Sequence, residues 1–184
     1  MSYDLSLYQL APGESVQDRI RAEESRELGH PDPAAEKLKS EIAAAITTNW
    51  PWMKPFVFDY PEVARALKTS EDEARRRFRH IELNDEREPS RGIQLSIFEG
   101  SISITVPYWH EKPEAEQVFG DIGSICSLLE RRWGFVVFDR QLDETVTASA
   151  LAGQALPGYL RVVEQMAGLA NSPAKPRRPW WKFW

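Results

Sequence analysis

Residues 92–106, GIQLSIFEGSISITV, constrain the fold more than any other part of the chain. Apolar and polar residues alternate with the period of two that sends successive side chains to opposite faces of a strand, and a glycine-containing pair breaks the alternation at its centre. With Glu99 and Gly100 as a two-residue turn, Ile97 pairs with Ile102, Leu95 with Ile104 and Ile93 with Val106. The intervening pairs, Ser96 with Ser103 and Gln94 with Thr105, are polar, so the hairpin buries one face and wets the other.

The rest of the chain supplies neighbours and cover for this hairpin. Residues 2–10 alternate Tyr3, Leu5 and Leu7 with Ser2, Asp4 and Ser6, the pattern of a half-buried strand that Pro12 and Gly13 end. A charged, thinly amphipathic helix is expected over 14–28, and a second helix opens at Asp32 and Pro33 with Leu38, Ile42, Ala45 and Ile46 on one face. Residues 49–61, NWPWMKPFVFDYP, mix prolines with aromatics and read as an irregular, packed connection. Two short helices follow, opened by the capping boxes Asp59 with Glu62 and Ser70 with Glu73, and residues 80–84 read as a strand beside the hairpin.

Pro113 starts a long helix in which Val118, Ile122, Ile125, Leu129 and Trp133 recur at three- and four-residue spacing, flanked by a strip of small residues at Gly120, Gly123, Ser124 and Ser127. Gly134 caps it, FVVFD is a buried strand, and residues 146–170 form a last helix started or broken near Pro157. This order of elements specifies an α+β fold. Residues 1–172 make a single domain, a mainly antiparallel sheet with a central β-hairpin covered by helices, and residues 173–184 make a basic, proline- and tryptophan-rich tail.

The formal charge of the whole chain is −5, but Lys175, Arg177, Arg178 and Lys182 stand in the tail without an acid, which leaves −9 on the domain. Such a body repels phosphate backbones and attracts a basic protein, so nucleic acid is not an expected partner. The arginine run in EDEARRRFR does not change that expectation. Glu71, Asp72 and Glu73 each precede Arg75, Arg76 and Arg77 by four residues, the favourable order for ion pairs along one helix. The single cysteine, Cys126, shares the apolar stripe of the long helix and reads as core. With no paired cysteines, no leader at the start and no apolar run of membrane-spanning length, the chain reads as cytoplasmic.

Chemistry is thinly marked. The three histidines, His30, His80 and His110, show no metal-ligand spacing, and the glycine patterns of hydrolase elbows, dinucleotide loops and phosphate loops are missing. No metal, no cofactor and no enzyme class is therefore expected. His110 sits at a strand-to-helix junction beside Tyr108, Trp109 and Glu111, where a loop histidine bonded near the helix start competes with a site residue. Acids gather in 81–88 (Glu82, Asp85, Glu86) and in 138–144 (Asp139, Asp143, Glu144), either as solvated loops or as an acidic rim for a basic partner.

In the tail, prolines at 173, 176 and 179 forbid helix and favour an extended path. Its aromatic end, Trp180, Trp181, Phe183 and Trp184, fits three roles: weak, reversible contact with lipid headgroups, insertion into a partner, or return onto the acidic domain.

The segments MSYDLSLY, FRHIELND, ITVPYWH and ERRWGFVVFDRQLDE together resemble small bacterial cytosolic proteins that begin MSYD and close their domain with a GF-hydrophobic-D-x-Q-L segment. The likeness covers residues 1–146, and some such proteins resemble immunity proteins, compact acidic domains that bind and block one toxin. It implies no catalytic residue. The expectation is thus a non-enzymatic binding module whose acidic and aromatic surface combines residues 82–88, 108–110 and 139–144, with a membrane-surface or assembly adaptor working through the tail as the alternative.

Overall fold

The computed structural model describes residues 2–25, 29 and 31–170. Along them run β1 (Ser2–Gln9), α1 (Val16–Glu24), α2 (Pro33–Asn49), β2 (Met53–Pro55), α3 (Tyr60–Leu67), α4 (Glu71–Arg77), β3 (Ile81–Asp85), β4 (Gln94–Ile97), β5 (Ser101–Pro107), α5 (Lys112–Trp133), β6 (Phe135–Asp139), β7 (Glu144–Val146) and α6 (Leu151–Ala170). The strands form one antiparallel sheet in the order β2-β3-β4-β5-β1-β6-β7. Sheet and helices make a single-domain α+β fold.

The hairpin register is the expected one. Ile97 faces Ile102, Leu95 faces Ile104, and the Phe98 amide donates to the Ser101 carbonyl at 2.8 Å to close the turn. Gly100 takes φ +83°, a left-handed conformation that glycine adopts without strain. β1 enters between β5 and β6, so Leu5 lies beside Ile104 and Leu7 beside Ile102 although about a hundred residues separate them. Because side chains alternate, Tyr3, Leu5, Leu7, Leu83, Leu95 and Ile104 share one face. There they pack with Ile42 and Ile46 of α2, Val118, Ile122, Ile125 and Leu129 of α5, and Leu151 and Tyr159 of α6. Each of those aliphatics removed from water contributes about 1.5–3 kcal/mol to folding. Cys126 is in the same core, and burial pushes its thiol well above the usual range.

The opposite face is polar, and at one end of it Val16 of α1 packs on Tyr8 and Phe138. The α1 helix starts from a formed capping box, Ser15 with Asp18, and ends at Glu24. Ser25 caps it, and residues 26–28 of the expected helix lie outside the described residues. α3 and α4 open at the expected caps, Asp59 and Ser70, each side chain accepting from the amide three residues on, at Glu62 and Glu73; the return bond that would complete each expected capping box is formed, among these helices, only at α1. Glu71 pairs with Arg75 at 2.5 Å and Glu73 with Arg77 at 2.8 Å, but Arg76 turns to Glu73 instead of Asp72. Both acids lie within one turn of Arg76, so helix geometry offers either.

Three elements differ from the sequence reading. The 49–61 connection contains β2, with Met53 opposite Asp85 and Lys54 opposite Asn84; proline at its end is tolerated because β2 is an edge strand. Residues 144–146 form β7 before any helix begins. The last helix runs unbroken through Pro157, losing only the bond that would reach the Gly153 carbonyl. The small strip on α5 has one visible use: a Cβ at Gly123 would lie 3.3 Å from the Ala148 carbonyl, so glycine admits the β7–α6 connection against the helix. Among the described residues, no helix is long and apolar enough to cross a membrane.

Candidate functional site: an acidic rim at one end of the sheet

In an antiparallel sheet of this order, β3, β5 and β6 all run the same way. Their last residues, Asp85, Pro107 and Asp139, therefore lie at one end of the sheet, and the segments that follow, 86–91, 108–111 and 140–143, form a single rim. Neighbouring members of the trio are two strands apart, roughly 10 Å, so the rim spans on the order of 20 Å. The sequence placed acids and aromatics in these three segments, and the topology brings the segments together.

The candidate residues divide by exposure. Glu86, Asp143 and Glu144 are exposed, as is Trp109 at 50%, while Tyr108 is half-buried. Leu142, 39% exposed and inside the expected 139–144 segment though not singled out there, adds a second exposed apolar group. Asp85, His110 and Asp139 are at most 6% exposed and so are not part of any presented surface. Glu82 also leaves the rim. Strand parity sends it to the polar face, where Asn84 donates to it at 3.1 Å and His80 lies 3.8 Å away. Burial works against its ionised form, but the bonds from His80, Asn84 and Gln94 outweigh that and hold its carboxyl below the usual range.

The three buried residues brace the rim from beneath. Asp85 accepts from the Arg87 amide at 3.0 Å, from Arg87 Nε at 2.9 Å and Nη2 at 2.6 Å, and from the Arg91 amide at 3.1 Å. Burial alone would raise its carboxyl; the Arg87 guanidinium and the two amides hold it low instead. Arg87 reaches on to Asp121 at 2.6 Å and lies 3.5 Å above the Trp52 ring, and Arg91 also reaches Asp121, at 3.1 Å. These contacts fix the 86–91 loop to α5.

His110 Nε2 donates to the Arg91 carbonyl at 2.8 Å, and its Nδ1 stands 3.1 Å from Glu114. Its amide donates to the Tyr159 hydroxyl, which donates in turn to the Pro107 carbonyl at 2.7 Å. The loop-histidine description fits this geometry. Asp139 accepts from the amides of Gln141 and Leu142, at 2.9 and 3.2 Å, and from the Tyr3 hydroxyl. Burial first, and the Asp139 carboxylate second, keep the Tyr3 phenol above its usual range, so it stays a donor. Asp139 thereby sets the turn on which Leu142 and Asp143 are carried, Asp143 in a left-handed conformation at φ +55°.

The supporting residues Trp52, Arg87, Arg91, Glu114 and Asp121 were not foreseen. Arg87, inside the acidic string NDERE, was the available signal: a cation within such a string answers part of its charge locally. Among the described residues no three His, Cys, Asp or Glu side chains converge where one metal ion could be held. The tail residues Trp180, Trp181, Phe183 and Trp184 lie outside the described residues.

Comparison with protein-family models, with curated proteins and with solved structures finds no match. The geometry of the rim therefore stands on its own.

Proposed function

We propose that the chain is a protein-binding module that holds a basic partner protein against this rim, in the manner of an immunity protein that blocks one toxin. The observation that supports the reading is the convergence of two acid-bearing segments and one aromatic segment on one end of the sheet. Glu86, Asp143 and Glu144 are exposed on the same rim as the apolar groups Trp109 and Leu142. A half-exposed tryptophan on a braced backbone is a low-entropy anchor, and flanking acids speed encounter with a basic surface and set its register. The buried network beneath favours a preformed surface, which lowers the ordering cost of binding.

The test is affinity purification of the wild-type chain beside two variants, Trp109→Ala and the triple reversal Glu86→Lys/Asp143→Lys/Glu144→Lys. One basic protein is expected with the wild type, weakened by Trp109→Ala and lost on charge reversal. A partner that both variants retain in full places binding elsewhere and removes the proposal. Asp139 is left unchanged in this test because its substitution would disturb the turn itself.

A further inference from the structure

The open part of the polar sheet face holds a groove of about 490 Å³, within the range that takes a small molecule. Asp4, Ser6 and Tyr8 of β1 and Ser101 and Ser103 of β5 form its floor. Arg140 stands on the β6 side, and Phe98 and His80 stand on the β4 and β3 side, their rings 4.9 Å apart. Phe98 is 41% exposed, so this aromatic wall is accessible.

Most charges in the groove answer one another. Arg79 pairs with Glu99 at 2.8 Å, Lys39 with Glu36 at 2.8 Å, Arg77 with Glu73 at 2.8 Å and Arg19 with Glu23 at 3.4 Å. Two charges do not. Arg140 donates from Nε to the Ser6 hydroxyl at 2.8 Å and from Nη2 to the Tyr8 hydroxyl at 3.2 Å, both neutral acceptors. Asp4 accepts from the hydroxyls of Ser2 at 3.2 Å and Thr105 at 2.9 Å, both neutral donors.

The β1–β6 register pairs Leu5 with Asp139, so Asp4 and Arg140 are the next cross-strand neighbours, yet among the described residues they make no ion pair. A carboxylate and a guanidinium are thus oriented side by side by hydroxyls, each with its charge uncompensated. Ser6 and Tyr8, having accepted from Arg140, still hold a hydroxyl hydrogen to give. The hydroxyls of Ser101 and Ser103 have no hydrogen bond among the described residues.

We propose that this groove binds a small zwitterion, an α-amino acid with an apolar side chain. Arg140 and the hydroxyls of Ser6 and Tyr8 take its carboxylate, Asp4 takes its ammonium, and its side chain lies toward Phe98 and His80. A guanidinium fork with hydroxyl donors matches a carboxylate, and Asp4 beside it disfavours an anion that brings no positive charge of its own. Among the described residues neither Asp4 nor Arg140 is paired with an opposite charge; a ligand carrying both signs satisfies both at once.

The experiment is thermal denaturation and calorimetry of the full chain with the twenty amino acids singly, then with N-acetylphenylalanine, phenethylamine and inorganic phosphate. At a hundred times its Kd an amino acid raises Tm by about 5–10 °C. Matched concentrations of the N-acetylated acid, the amine and phosphate give less than half of that shift. Arg140→Gln and Asp4→Asn each weaken binding at least ten-fold, and Arg140→Lys, which keeps the charge but loses the fork, gives an intermediate value.

No shift with any amino acid overturns the proposal. So does an equal shift with phosphate or N-acetylphenylalanine, which marks a plain anion site, or affinity unchanged in both charge variants. The comparison among ligands uses only the wild-type chain and decides the matter even where a variant folds poorly. Because it involves no protein partner, its outcome is independent of the rim.

Discussion

Asp139→Ala removes one acceptor from three donors at once. Tyr3 is 1% exposed and its hydroxyl bonds Asp139; a buried donor left unmatched costs about 1–3 kcal/mol. The Gln141 and Leu142 amides belong to an exposed turn where water replaces part of what is lost, about 0.5–1.5 kcal/mol each. Deleting the carboxylate also relieves its own burial, which moves the total to the lower part of its range, about 3 kcal/mol. For a chain of this size that is a fall in Tm of about 6–12 °C.

Tyr3→Phe leaves Asp139 its two amides and costs about 1–2 kcal/mol, and the double variant shows a coupling of about 1–2 kcal/mol. Urea and thermal melts of the four proteins at pH 7 supply every number. A loss below about 1 kcal/mol for Asp139→Ala, or strictly additive single effects, would refute the account of Asp139 as the brace of the turn.

Stability depends on pH at both ends. The folded-state carboxyls of Asp85 and Glu82 lie below their unfolded values, so their contribution is complete above the ordinary carboxylate range and is lost as pH falls, between about pH 5 and pH 2; Asp85→Asn flattens that limb in urea melts. Burial pushes the Tyr159 phenol up to about 12, so its contribution is present below its ordinary value of 10.0 and lost as pH rises from there; Tyr3, Tyr108 and Cys126, raised likewise, share this limb, and Tyr159→Phe makes it shallower without abolishing it. Gly92 has φ +66° and an added Cβ would sit 2.7 Å from Trp109 Cζ2, so Gly92→Ala costs about 2–4 kcal/mol, whereas Gly13→Ala, at φ +83° with nothing within 4 Å, costs about 1–2 by equilibrium melts. Ile104 is fully buried between Leu5 and Leu95, and Ile104→Ala lowers unfolding free energy by about 2–5 kcal/mol, measured the same way.

The hairpin was readable because two independent signals agree there, the alternation of branched residues and a glycine at the turn position that takes positive φ. The α5 stripe was readable because Val118, Ile122, Ile125 and Leu129 hold helical spacing over more than three turns. β2 was not, since three residues ending in proline carry no period, and only Asp85, Asn84 and Leu83 opposite them make Met53–Pro55 a strand.

The rim was half readable. Its segments were picked out by their acids, but an acid at a strand end looks the same whether it meets water or holds a turn. Parity distinguishes the two cases: Asp139 continues the inward series Phe135 and Val137, and Asp85 continues Ile81 and Leu83, so both point inward. His110 had no such period to betray it, because its burial depends on Arg91 and Tyr159, residues remote in the chain.

The sheet tapers. Its inner strands β1 and β5 have eight and seven residues, while the outermost, β2 and β7, have three each. β2 ends in a proline that has no amide hydrogen to offer, and the exposed Glu144 starts β7. A neighbouring copy that tried to extend the ladder would gain a few main-chain bonds at most and would meet a blocked or charged margin. Strand addition, the common route from a β-rich domain to a fibre, is thus disfavoured at both margins, and self-association at high concentration has to proceed through side-chain surfaces instead of shared backbone.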